Sequence, residues 1–460
     1  MEATEQFVKN FTTVNYDQLS TEVIETTKKQ VLDFFGVALA GSAEEGAKQI
    51  AELYAETGGV QQSSVIFWGH KMPAANAAQV NATMAHALDY DDVHEAAIIH
   101  PGVITVSTSL AMAEYKGGLS GKDFIAANAL GADFICRLGL ATRPGQNVHA
   151  FGWHLTSIYG FMTAAAVAGM VLGFDAETLL NAIGIGYHQS SGNGQCVKDG
   201  ALTKRMGPGF AVRGGIIAAL LAERGVTGAR YSIEGRAGIY KVYHQGSYSP
   251  EILLDGLGSR METANVSIKP YPCCRGTHPS IDAALSLVKK HDLDPAAVES
   301  VRIWLGEGTY GLLGTPLEVK ARPRNVVDGQ FSVPWCVATA IARRQVKIEH
   351  FTEAAIHSED ILAIAGKIQV ELDPALTNPG IEPARVRITT RDGVSFTEQV
   401  DFPTGTPHRP LSYAACAEKF RDCISHAPRQ LPEDKAEKLV ALIARLEELG
   451  DVRELLELVQ

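Results

Sequence analysis

VSIKPYPCCRGTHPSID, residues 266–282, is where the chain changes texture. Before it, from about residue 20, apolar residues recur at helical spacing, and after it they alternate as strands do. THPSIDAALSLVKKHDL begins a helix, with Thr277 as its cap and Pro279 in its first turn. VESVRIWLGE then alternates Val301, Ile303 and Leu305. KIQVEL follows, and VRITTRDGVSFTEQV holds Asp392-Gly393 between two alternating runs, a hairpin signal. Helical spacing returns from about residue 410, and EDKAEKLVALIARLEELGDVRELLELV reads as an amphipathic helix broken at Gly450.

Upstream, STEVIETTKKQVLDFFGVALAGS reads as a helix capped by Ser20 or Thr21 and stopped by Gly41. KDFIAANALGADFICRLGLA, SIYGFMTAAAVAGMVLGF and AVRGGIIAALLAERG are apolar on most faces, as helices buried by other helices are. The order helical, α/β, helical predicts a mostly α fold. A large all-helical domain is formed by both ends of the chain, residues 1–266 and 402–460. A smaller α/β lid domain, residues 267–401, is inserted into it, which is tolerated because domain termini tend to lie close together.

The formal net charge of −11 over 460 residues argues against a nucleic-acid partner, because phosphate attraction needs excess Lys and Arg. A small anionic substrate would then need basic residues gathered locally. Cys136, Cys196, Cys273, Cys274, Cys336, Cys416 and Cys423 are scattered, odd in number and without a CxxC pair, which suits neither a disulfide framework nor a cysteine zinc site. The N-terminal MEATEQFVKNF has no apolar signal core. The longest apolar run, residues 161–174, is short of the roughly 20 residues that span a bilayer. These features lead us to expect a cytoplasmic protein with no membrane partner.

Four polar constellations carry candidate chemistry. HALDYDDVHEAAIIHPG, residues 86–102, sets Asp89, Asp91, Asp92 and His100 among core-like flanks. It reads either as a helix end with a solvated acidic face or as a carboxylate-tuned histidine at the chain break before Pro101. It lacks a ligand spacing such as HExxH, so no metal is expected. VHAFGWHLTSIYG places His154 just before a helix, as a cap or as a proton carrier. CVKDGALTKRMGPGFAVRGG gathers Lys198, Lys204, Arg205 and Arg213 with only Asp199 opposing them; such cations must snorkel, meet acids or meet a ligand's carboxylates. The opening stretch sets Lys269, Arg275 and His278 at an expected domain junction, either as a ligand cleft or as a basic linker. GIGYHQSSGNG is glycine-rich but does not follow a strand, so no nucleotide loop is expected.

HALDYDD with HPG, GWHLTSIYGFMTAAAVAG, LTKRMGPGFAVRGGIIAALLAERGVTG, KPYPCCRGTHPSIDAAL and QFSVPWCVATAI, in that order, resemble the MmgE/PrpD family, which includes 2-methylcitrate dehydratase, cis-aconitate decarboxylase and iminodisuccinate epimerase. The resemblance implies a homodimer without metal or organic cofactor, acting on a small anionic carboxylate. It implies active-site positions at Asp89, His100, His154, Lys204 and Lys269, and it puts a histidine where Cys274 stands and a threonine where Val93 stands. The implied chemistry is proton transfer at a carbon next to a carboxylate. His100 or His154 would move the proton, and Lys204 and Lys269 would hold the carboxylates. Asp89 and Asp92 would orient the histidine, with Arg205, Arg275 and His278 as further substrate contacts. Three readings stay open: a lyase (dehydratase or decarboxylase), an epimerase or isomerase of a dicarboxylate, and a non-catalytic dimeric binding protein with a decayed site.

Overall fold

Ser20 Oγ accepts the Val23 N–H at 3.3 Å and starts a helix that runs Thr21–Ala40, ending at Gly41. This computed structural model describes residues 2–142, 152–378 and 380–460. It is mostly helical, and it groups the chain into two units.

The first unit comprises Met1–Cys196, Leu202–Ile268 and Ser412–Gln460. Its centre is the helix Leu155–Leu172, packed against the helices Pro101–Lys116, Gly121–Leu140, Ala176–Gln189 and Thr203–Glu223. Small residues permit that density. A Cβ on Gly215 would lie 2.5 Å from the Ala164 Cβ and 2.7 Å from the Phe161 carbonyl oxygen, so the helices touch through bare backbone. Among the described residues Leu155–Leu172 is also the helix long and apolar enough to cross a membrane, and 89% of its 18 residues are buried within the protein. Leu155 and Ile158 extend the apolar run beyond the 161–174 read from the sequence.

The C-terminal helix Tyr413–Ser425 packs on Thr21–Ala40, where the Lys419 ammonium meets Asp33 at 2.5 Å, so both ends of the chain build one unit. The remaining C-terminal helix is less continuous than its periodicity suggests. Glu433–Ala444 ends at Arg445, and a 3-10 turn separates it from Arg453–Leu458. Among the described residues of this unit, two short strands, Ser63–Ser64 and Lys71–Met72, pair antiparallel.

The second unit comprises Val197–Ala201 and Lys269–Leu411. Its sheet has the order Ile368–Leu372, Val298–Leu305, Ala384–Thr390, Ser395–Val400, the first pair parallel and the others antiparallel. Val301, Ile303 and Leu305 are buried in register with Ile388, Val386 and Ala384, in one core with the helices His278–Lys290 and Val333–Arg343. Gly393, at φ +85°, supplies the hairpin turn after Asp392. Thr277 is the N-cap residue of His278–Lys290, yet its hydroxyl donates to the Cys274 carbonyl instead of capping. The sequence set this unit's end at residue 401. Residues 402–411 stay with it because the Thr404 N–H donates to Asp282 at 2.6 Å and the Thr404 carbonyl accepts from Arg275 at 2.9 Å.

Candidate active site

The helix Ala74–His86 delivers His86 as its last residue, and Asp89 then takes a left-handed φ of +50° that turns the chain sharply. A non-glycine residue adopts that conformation at a cost that local structure must outweigh, and Asp tolerates it better than most. Val93 pairs through its backbone with Ser267 in both directions, at 2.9 and 2.8 Å, and His94 pairs with Ile99 across a tight loop. The loop brings the chain back on itself. His100 therefore lies against Asp91 and Asp92 although eight or nine residues separate them. His94 and Glu95, also in this stretch, are held by Glu262 and Ser267.

His100 and His154 occupy equivalent positions. Each is the N-cap of a long helix, Pro101–Lys116 or Leu155–Leu172, with nearly the same backbone angles, φ −102° and ψ 93° against φ −100° and ψ 98°. The His100 N–H donates to Thr156 Oγ1 at 3.1 Å, which joins the two helix starts. The Lys204 side chain, from the first turn of Thr203–Glu223, donates to Asp89. Pro208 has no N–H to give to the Lys204 carbonyl four residues back, so this helix start is loosened. Helix N-termini carry partial positive charge, and together with Lys204 they make the place favourable for an anion.

The hydrogen bonds fix protons. His100 Nδ1 lies 2.8 Å from the Asp92 carbonyl oxygen and 3.2 Å from Asp91 Oδ2, and neither of these can donate when the carboxylate is ionised. Nδ1 therefore bears a proton, and in the neutral ring the lone pair is on Nε2. His86 Nδ1 also donates to Asp91 Oδ2, at 2.8 Å, while its buried Nε2 has no hydrogen-bond partner among the described residues. His154 Nδ1 is 2.7 Å from Ser157 Oγ. The His86 ring is 4.8 Å from the His100 ring and 6.1 Å from the His154 ring.

Burial raises the Asp91 pKa, but His100 and His86 outweigh it and hold the carboxyl well below the usual range. Burial pushes His86 down to about 4, with Lys204 and His100 adding to the fall against Asp91. Desolvation also pushes His154 well below the ordinary histidine value, helped by His86, Lys204 and His100. Asp92 goes the other way. Burial, with Asp91 and Asp33, raises it to about 8, while hydrogen bonds from Gln30 and Gly102 oppose the rise.

Burial thus disfavours the ionised form of Asp92. Its carboxyl is 2.5 Å from Gln30 Nε2 and about 3 Å from the Gly102 N–H, at the start of Pro101–Lys116. A Cβ on Gly102 would sit 2.9 Å from both carboxyl oxygens, which accounts for the glycine after Pro101. Asp92 thus supports the helix start through its carboxyl, while its carbonyl accepts from His100. An acid whose folded pKa exceeds its unfolded one contributes stability that is present at low pH and lost as pH rises, here between about 4 and about 8. Asp92→Asn mimics the neutral form, so wild-type Tm should fall relative to the variant between about pH 4 and about pH 8. A Tm difference that stays constant over that range would count against this.

Arg205 donates to Glu44 at 3.1 Å and to the Glu45 carbonyl at 3.1 Å, so its charge is matched by an acid and the substrate contact expected of it gains no support. Arg213 is exposed and donates to Asn76, and Lys198 is exposed in the second unit. Lys269, Arg275 and His278 also belong to the second unit and are buried, with Arg275 Nη1 2.8 Å from His278 Nδ1. Cys274, half-buried, donates its N–H to the Gln330 carbonyl at 2.9 Å. Donor atoms of His86, Asp91 and His100 lie within 4.8 Å of one another, near enough to hold a cation. The hydrogen bonds at both Nδ1 atoms, one of them to a carbonyl, describe protonated nitrogens instead.

Residues 5–251 match the MmgE/PrpD N-terminal domain and residues 271–448 the MmgE/PrpD C-terminal domain. The chain belongs to the MmgE/PrpD family. Cis-aconitate decarboxylase of Aspergillus terreus is 27% identical over 461 residues, 96% of this chain and 92% of that protein. Cis-aconitate decarboxylase of Homo sapiens is also 27% identical, over 97% of this chain and 92% of its own length. The enzyme of that name from Mus musculus is 25% identical, over 97% and 91%. Like its family, this MmgE/PrpD chain is an enzyme acting on carboxylates.

Of the residues expected at the site, the first unit gathers Asp89, His100, His154 and Lys204. His86 and Asp91 stand among them too, and the sequence did not assign them a role. Their five-residue spacing leaves them on different faces of a helix. Helix ends before Asp91, and only the left-handed turn at Asp89 brings the two together.

Proposed function

We propose that this MmgE/PrpD enzyme is a cofactor-independent lyase, a dehydratase or decarboxylase, acting on a di- or tricarboxylate. The observation that carries the reading is His100, with a proton fixed on Nδ1 and Nε2 left to carry the lone pair of the neutral ring, among helix starts, with Lys204 acting on its neighbours His86 and His154. In a dehydration Nε2 takes a proton from the carbon next to a carboxylate and the hydroxyl of the neighbouring carbon leaves as water; in a decarboxylation carbon dioxide leaves first and the ring, protonated at Nε2, returns a proton to the carbon left behind. Negative charge then builds on the carboxylate oxygens, where the helix N-termini and the Lys204 ammonium stabilise it. Ionised Asp91 stabilises the imidazolium that forms. The relatives named cis-aconitate decarboxylase support a polycarboxylate substrate.

The paired histidines favour a second reading. Two rings at equivalent helix starts could remove a proton and return one, as an epimerase or isomerase requires. Incubation with 2-methylcitrate, cis-aconitate and iminodisuccinate in deuterated water, with and without a chelator, followed by NMR, separates the reactions. Loss of water or carbon dioxide, undiminished by the chelator, is expected. Deuterium exchange without net loss would favour the epimerase, and silence on all three would leave a binding protein or another carboxylate.

A further inference from the structure

We infer that Asp91 is a positioning residue that tunes His100, and that His86 limits how strongly it does so. The inference rests on the reading of His100 as the proton-transfer group. One oxygen, Asp91 Oδ2, accepts from His86 Nδ1 at 2.8 Å and lies 3.2 Å from His100 Nδ1, whose hydrogen bond goes to the Asp92 carbonyl. The shorter contact is to the fully buried ring, and the longer one is to the ring whose side chain keeps 14% of its exposure. Because the Asp92 carbonyl already holds the His100 Nδ1 proton at 2.8 Å, the tautomer does not depend on Asp91. What the carboxylate adds is charge. It favours the imidazolium, and a second N–H on the same oxygen withdraws part of that charge.

Other groups act on the same ring from every side. His86 comes from the helix Ala74–His86, Asp89 and Asp91 from the turn after it, His154 from the start of Leu155–Leu172, and Lys204 from the start of Thr203–Glu223. Lys204 is paired with Asp89. Asp91 is the carboxylate in ion-pair contact with the His100 ring among the described residues.

NMR titration of the intact chain, with isotope-labelled histidine, tests this without any substrate. Asp91→Asn should lower the His100 midpoint by about one unit or more, a tenfold or larger loss of proton affinity, while Nδ1 keeps its proton. His86→Phe keeps an aromatic ring but removes the competing N–H, and it should raise the midpoint. Asp91→Glu should restore most of what Asp91→Asn loses. If Asp91→Asn leaves the midpoint unmoved, the inference is overturned. If that variant does not fold, an unmoved or lowered midpoint in His86→Phe overturns it. In kinetics, Asp91→Asn should reduce kcat by roughly 10- to 100-fold and shift its acidic limb in the same direction as the NMR midpoint, with KM little changed. Midpoints that move as stated alongside a fully active His100→Asn enzyme would leave the tuning intact and overturn the proton-transfer reading instead.

Discussion

His100→Asn is expected to lower turnover by roughly 10² to 10⁴-fold, the range for losing a general acid or base, while substrate affinity changes far less. Asparagine keeps a polar group that can still donate to the Asp92 carbonyl, so the loop and the helix start should survive. What disappears is the Nε2 lone pair. His154 is the rival. It occupies the equivalent helix start, but its Nδ1 contact is to Ser157 Oγ instead of a carboxylate, and burial pushes its pKa well below the ordinary histidine value. A ring so disposed accepts a proton poorly near neutral pH. The deciding measurement sets turnover and ligand binding for His100→Asn beside those for His154→Asn. Lost binding with retained turnover at saturation in His100→Asn would make His100 an anchor and move the proton-transfer role to His154.

Periodicity carried much of the architecture. The switch from helical to alternating spacing near residue 266, the Asp392-Gly393 hairpin and the Ser20 cap are local signals that local geometry obeys. The limits of that reasoning show in HALDYDD. Its residue types announced acid/base chemistry, but the division of labour among Asp89, Asp91 and Asp92 depends on one left-handed residue and a loop that doubles back. No spacing rule contains that information. Arg205 shows the same limit at longer range. The sequence required its charge to be matched, and the acid that matches it, Glu44, lies 161 residues away. Asp92 and Gly102 fail for another reason: their fit is steric, a missing Cβ against a carboxyl group, and sterics become visible only when the backbone is placed.

Lys204→Ala is expected to cut kcat/KM at least about 100-fold, roughly 2.7 kcal/mol of transition-state stabilisation. The structure changes how that loss must be measured. Lys204 and Asp89 are both nearly buried and paired with each other, and removing one charge leaves the other uncompensated, which costs about 3–5 kcal/mol. A dead Lys204→Ala enzyme could therefore be an unfolded one. The double variant Lys204→Met with Asp89→Asn removes both charges at similar volume, and its Tm should lie closer to wild type than that of Lys204→Ala. Its kcat/KM should still be down by about 100-fold or more, because the lost ammonium is what stabilises charge on the substrate carboxylate. Asp89→Asn alone points the other way for binding. Freed from its carboxylate, the ammonium has one more donor to offer an incoming one, so polycarboxylate affinity should hold or rise. A folded double variant with wild-type kcat/KM would remove Lys204 from the mechanism. Affinity lost in Asp89→Asn would instead make the ion pair itself, rather than the lysine, the feature that shapes the site.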